Sequence, residues 1–206
     1  MRAAMIIAAI ALVCFAGIGI WQLSEDGSDS GSSSEETAAP RETTDPLPPL
    51  PRGWTGTVNA AGGFAFGLPP GWSEESVLAK STVRSPGSAV VVSITADRTN
   101  EAVEADLADY ATGIAQGLEP DSAPAPLPEA PKPREAGYES AGVIAPRDGS
   151  SGSGGQLRVI VVRRIGIAAY PILIASGRGV KQAELEPIVD RLVRSLRGRP
   201  IAPLAG

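Results

Sequence analysis

Histidine is absent from this chain of 206 residues, cysteine occurs once, and aromatic side chains make up only 4%. Without histidine the chain lacks the commonest general base and the commonest metal ligand. The single cysteine, Cys14, excludes an intrachain disulfide, a cysteine-rich zinc site and an iron–sulfur cluster. Positive charge is also in short supply: 18 bases face 23 acids, and a net charge of −5 argues against a nucleic-acid partner.

What is present first is an apolar run. AAMIIAAIALVCFAGIGIWQL, Ala3 to Leu23, is almost free of polar groups, and a helix of that length, at about 1.5 Å per residue, crosses a hydrocarbon core of about 30 Å. Residues 1–23 are read as a transmembrane signal anchor that holds the chain in the cell membrane. Arg2 precedes the run and acids follow it, so the positive-inside rule places Met1 in the cytoplasm and everything after Ser24 outside. Cleavage as a signal peptide is the rival reading, but cuts after Ala16 or Gly19 would leave apolar residues downstream. Lipidation is the other rival. Ala11-Leu12-Val13 sets a branched residue before Cys14 where a lipobox has a small one, so the thiol is read as an inert part of the span.

Residues 24–51 read as a disordered tether. Seven acids there face only Arg41, too few apolar groups are present to offset ordering entropy, and Asp45 to Pro51, DPLPPLP, favours extended polyproline II. Residues 52–199 form the outer domain and residues 200–206 a tail. Within the domain, the charge shifts from acidic to basic, with ten bases and four acids between Arg147 and Arg199.

GFAFGL sets Phe64, Phe66 and Leu68 on one side of a period-two strand; Pro69 and Pro70 end it, and Gly71 lets Trp72 turn back over the sheet. Further strands are expected over residues 76–85, 88–96, 137–146, 156–165 and 168–176. Pro86-Gly87 and Gly166 supply tight antiparallel turns, and Pro171 suggests an edge or a bulge. One helix follows Thr99-Asn100, with Val103, Leu107, Tyr110 and Ile114 at helical spacing. A second carries Leu185, Ile188, Val189, Leu192, Val193 and Leu196 on one stripe. Between the first helix and the next strand, residues 118–136 hold six prolines and read as an extended, mobile loop rimming a partner surface. The fold class expected is α+β, an antiparallel sheet of about six strands covered by two helices, in the order β-β-β-α-β-β-β-α.

Few residues suggest chemistry. The glycine-rich Asp148 to Gln156 lacks a following helix and reads as a hairpin loop rather than a phosphate cradle. Lys80 and Ser81 are adjacent on a strand and point to opposite faces, which rules against a dyad. Glu74-Glu75 and Glu184-x-Glu186 are explained by a turn and by helix-dipole compensation. Ser176 to Lys181, SGRGVK, could present amides and a lysine to an anion, or be a plain strand-to-helix turn. Arg163 and Arg164 interrupt an apolar strand, where edge charges guard against aggregation or serve recognition. Arg163, Arg164, Arg178 and Lys181 are therefore the candidate partner-binding residues; no catalytic, cofactor or metal residue is assigned.

The tethered N-terminus, the opening GFAFGLPPGW, the AVVVSITADR strand before the first helix and the closing LEPIVDRLVRSLRG helix together resemble the LpqN-type envelope proteins of actinobacteria. Those share a wider fold with the photosystem subunit PsbP and the Mog-type Ran-binding proteins. The resemblance covers about Thr55 to Arg199 and implies a PsbP-like domain with a non-enzymatic binding or scaffolding role in the envelope. The expected partner is a protein or a glycolipid, with no cofactor. A surface hydrolase and a structural stalk-and-head protein are the alternatives.

Overall fold

The computed structural model describes residues 47–147, 155–177 and 179–199, all within one compact unit that begins at Leu47. The expected anchor, the tether up to Pro46, most of the glycine-rich stretch, Arg178 and the tail lie outside the described residues. No helix among the described residues is long and apolar enough to cross a membrane.

The expectation of about six strands and two helices is corrected: the described residues hold ten strands in two antiparallel sheets, with three helices. A small sheet pairs β1 (Thr55–Asn59), β2 (Phe64–Leu68) and β10 (Arg197–Gly198), with β2 in the middle. The large sheet runs β3 (Ser73–Val77), β4 (Lys80–Arg84), β5 (Val90–Thr95), β9 (Ala168–Ser176), β8 (Gly155–Arg164), β7 (Tyr138–Arg147), β6 (Ala125–Pro126), in that spatial order. Two helices, α1 (Asn100–Glu104) and α2 (Leu107–Leu118), separate β5 from β6, and α3 (Gln182–Ser195) precedes β10.

Each departure has a local cause. The strand expected over residues 76–85 is a hairpin, turned at Leu78 in the left-handed region with φ +53°. The expected single helix breaks because the Asp106 carboxylate accepts from the amides of Ala108 and Asp109 and starts a second helix. The proline-rich loop is not free of the sheet. Ala125 and Pro126 pair with Ile144 and Val143, the Leu127 amide donates to Gly142, and Ser140 donates to Ala130. A Cβ on Gly142 would meet the Leu127 side chain at 2.8 Å, so the glycine leaves the space that this leucine fills.

Pro171 occupies neither an edge nor a bulge, since β9 lies between β5 and β8. The β5–β9 ladder runs from Val90↔Ser176 to Ile94↔Ile172 and resumes, in unchanged register, as a bridge between Asp97 and Ala169. The Ala169 amide donates to Asp97, so by alternation the nitrogen of Pro171 also faces β5, where it has no hydrogen to give. The β5–β9 ladder opens there, while on its other edge β5 goes on pairing with β4, the Ala96 amide donating to the Ala79 carbonyl.

The large sheet buries both faces, unequally. On one face Ile94, Ile160, Val162, Tyr170, Ile172 and Ile174 pack with Phe64 and Phe66 of the small sheet and with Leu185, Val189, Leu192 and Val193 of α3. Phe64 stacks near Phe66 at 6.1 Å and meets Tyr170 edge-on at 6.0 Å. The opening motif is thus a core element, and Trp72 packs on this core after a turn closed by its amide to Pro69. On the other face Ala102, Leu107, Ala111, Ile114 and Ala115 of α1 and α2 cover Val143, Ala145, Leu157, Val159 and Val161.

Candidate functional site

Two of the four predicted basic residues sit at one end of the large sheet and one at the other. Arg163 and Arg164 close β8 beside the Gly166 hairpin, whereas Lys181 follows the far end of β9. Nine residues of β9 separate the two ends, about 30 Å. Arg163 is 13% exposed and wholly engaged inside the domain: its Nε donates to Glu139 at 2.6 Å and its Nη1 to the Ala105 carbonyl at the end of α1 at 2.6 Å. That arginine ties β7, β8 and α1 together. Arg164 reaches the Gly198 carbonyl at 3.4 Å. Lys181 is exposed and pairs with Glu184, itself exposed, at 3.0 Å, a surface contact of small energetic weight.

Other polar groups also have structural tasks. Asp97 accepts from the Thr99 amide and hydroxyl and from the Tyr110 hydroxyl at 2.6 Å, fixing the start of α1 and the side of α2 to the end of β5. Burial, then the hydrogen bond to Asp97 and its charge, push the Tyr110 phenol far above its ordinary range. Ser195 Oγ accepts from the Gly67 amide at 2.8 Å and donates to the Leu192 carbonyl, joining α3 to β2. Arg158, 7% exposed, reaches Glu186 at 3.4 Å, while its Nε and the Gln182 Oε1 have no hydrogen-bond partner among the described residues. A shallow groove of about 340 Å³ lies where Pro48, Pro49 and Pro51 pass Arg134, Arg191 and Arg194.

A partly open surface among the described residues comes from what α1 and α2 leave uncovered. Across the face they cover, registered side chains form rungs that span the sheet. One runs Glu75, Thr82, Ser93, Leu173, Val159, Val143. The next runs Ser73, Arg84, Val91, Ala175, Leu157, Ala145. Each begins polar at β3 and ends apolar at β7. The apolar half lies buried beneath α2, while Thr82, Arg84, Val91, Ser93 and Thr95 are half-buried and no described helix covers them. Strict alternation in β5, buried Val90, Val92 and Ile94 against half-buried Val91, Ser93 and Thr95, gives this half-face its mix of hydroxyls and methyls. Thr82 in STVR and Ser93 and Thr95 in VVVSIT were the sequence signal for it, since a strand buried on both sides carries few polar groups; their alignment into one surface depended on strand order.

No protein-family model matches this chain, and no curated protein matches it in sequence. Solved structures do match in shape. The Ran-binding protein Mog1p of Saccharomyces cerevisiae aligns at 8% identity over 70% of this chain and 95% of its own, with a TM-score of 0.52. Cyanobacterial PsbP, CyanoP, from Synechocystis aligns at 13% identity over 71% and 92%, with a TM-score of 0.46. The described domain shares the α+β fold of Mog1p, with antiparallel sheets and few helices.

Proposed function

We propose that this chain is a membrane-anchored, extracytoplasmic, LpqN-type protein of the cell envelope that binds or scaffolds another protein and performs no chemistry itself. The observation that carries the reading is the half-face of β3, β4 and β5 that no described helix covers: registered, and mixing Thr82, Ser93 and Thr95 with Val91. A surface of that kind suits a protein partner, whereas a glycolipid calls for an apolar pocket. The matched yeast protein is named for binding Ran, a protein, which supports the same class of partner. The anchor and outward orientation rest on the apolar run of residues 3–23 and on Arg2.

A photoreactive side chain at Ser93 should capture one discrete protein in intact cells, and the same group at exposed Gln116 on α2 should not. With the photoreactive group moved to Thr82, the cross-strand neighbour of Ser93, Ser93→Arg should abolish capture while leaving the melting temperature within a few degrees, as expected of a half-exposed position. Equal capture from both positions, or capture that survives Ser93→Arg, would overturn the assignment of this surface. Protease added to intact spheroplasts should digest the domain; a protected domain would refute the outward topology.

A further inference from the structure

The end of the large sheet at which β8 turns into β9 carries two exposed apolar hairpin tips. Ile165 and Ile167, flanking Gly166, are 62% and 50% exposed; Val77 and Leu78, at the β3–β4 turn, are 59% and 81% exposed. These account for four of the five large apolar side chains that stand exposed among the described residues. The strand order places the two hairpins three strand spacings apart, about 14 Å. Register puts them at the same end, since Lys80 pairs with Thr95, Asp97 bridges Ala169, and Arg164 pairs with Ala168.

Between and behind the tips lies uncompensated positive charge. The Arg98 Nη2 donates to the Gly62 carbonyl at 2.7 Å and the Arg164 Nη1 to the Gly198 carbonyl. Neither guanidinium pairs with a carboxylate among the described residues. Asp97, the acid beside Arg98, is taken up by Thr99 and Tyr110, and Glu139 by Arg163. Glu101 and Glu104 belong to α1, which packs on the opposite face of the sheet from the small sheet that Arg98 and Arg164 reach.

We propose that this end of the sheet docks on a bilayer surface containing anionic lipid, the two hairpin tips entering the headgroup boundary and Arg98 and Arg164 pairing with lipid phosphates. Apolar side chains on protruding turns backed by arginine match the two attractions available there, burial of hydrocarbon and the negative surface potential. The hydroxyl-rich half-face on β3, β4 and β5 then stays free for a protein, so the domain would be oriented as well as tethered.

The test uses the full chain with Cys14→Ser and one new cysteine, at Leu78, Ile165 or Ser88, carrying an environment-sensitive fluorophore. Ser88 lies in the turn at the other end of the sheet. With vesicles of phosphatidylcholine and phosphatidylglycerol, emission should shift to the blue at positions 78 and 165 and stay unchanged at 88. Ile165→Asp should weaken the response at 78, and Leu78→Asp that at 165, by roughly tenfold in lipid titrated. Arg98→Gln with Arg164→Gln should do likewise, as should raising salt to about 0.5 M. No shift at either tip, or an equal shift at 88, overturns the proposal. So does a shift that appears without vesicles as protein concentration rises, which would assign the tips to a second copy of the chain.

Discussion

Single side chains in this domain act mainly as ties between elements. The Tyr110 hydroxyl bound to Asp97 links α2 to the end of β5, and Tyr110→Phe should cost about 1–2 kcal/mol at neutral pH, read from urea unfolding. Because its phenol is raised in the folded state, folding favours the protonated form. That stability is fully present below pH 10, the ordinary tyrosine value, and declines as pH climbs past it, where the unfolded chain releases the proton first. Tyr110→Phe should flatten the loss of stability measured above pH 10; an unaltered alkaline slope would show that Tyr110 is not its source. Ser195→Ala removes the acceptor of the buried Gly67 amide and should cost about 1–3 kcal/mol, with a lower melting temperature as the readout. Arg163 was read from sequence as an edge charge or a recognition residue, and either reading would have it facing outward. Its bonds to Glu139 and Ala105 come from elements 24 and 58 residues away in sequence, a separation that local pattern cannot bridge.

At the scale of elements, legibility followed period and length. The stripe of α3 was plain because Leu185, Val189, Leu192, Val193 and Leu196 all enter one core, and Leu192→Asp should abolish cooperative unfolding by setting a charge among them. A Leu192→Asp protein that melts cooperatively near the parent temperature would refute that packing. The strands β1, β6 and β10 escaped detection for different reasons. β1 is a partly exposed edge strand, TGTVN, with little apolar pattern; β6 and β10 are two residues each, one of them half proline. Their place is fixed by partners rather than propensity. Residues 119–136 illustrate the difference. Six prolines spoke for a free extended loop, yet Leu127 fills the space above Gly142, Pro133 is buried, and Glu135 pairs with Arg197 at 3.1 Å. Replacing the segment with a short Gly/Ser connection should therefore lower the melting temperature by several degrees, since an edge strand, a half-buried leucine and a buried proline go with it; an unchanged temperature would make those contacts idle.

At the scale of the whole molecule, the sequence announced an α+β domain with antiparallel strands and a closing helix, and Mog1p shares that fold. It did not announce two sheets, because the middle strand of the small one, β2, owes its place to β1 on one side and to β10 on the other. Phe64 opposes Asn59 in the first pairing and Gly198 in the second. Nor could it show which half of the large sheet lacks a helix, since the rungs that define that surface join residues from β3 to β7. The late closure of the small sheet has a consequence during synthesis. A nascent chain lacking residue 197 has its aromatic strand paired on one edge only, and α3, which covers the same core, has only just been made. The domain is thus obliged to wait for nearly all of its length before it can close, in keeping with the slow folding of proteins whose pairings are distant in sequence. Translation arrested before Arg197 should yield chains that proteases cut freely, while arrest behind an appended linker long enough to carry Arg199 clear of the ribosome should yield resistant ones. Until residue 197 is made, the domain is therefore a ready client for any chaperone that holds unfolded chains.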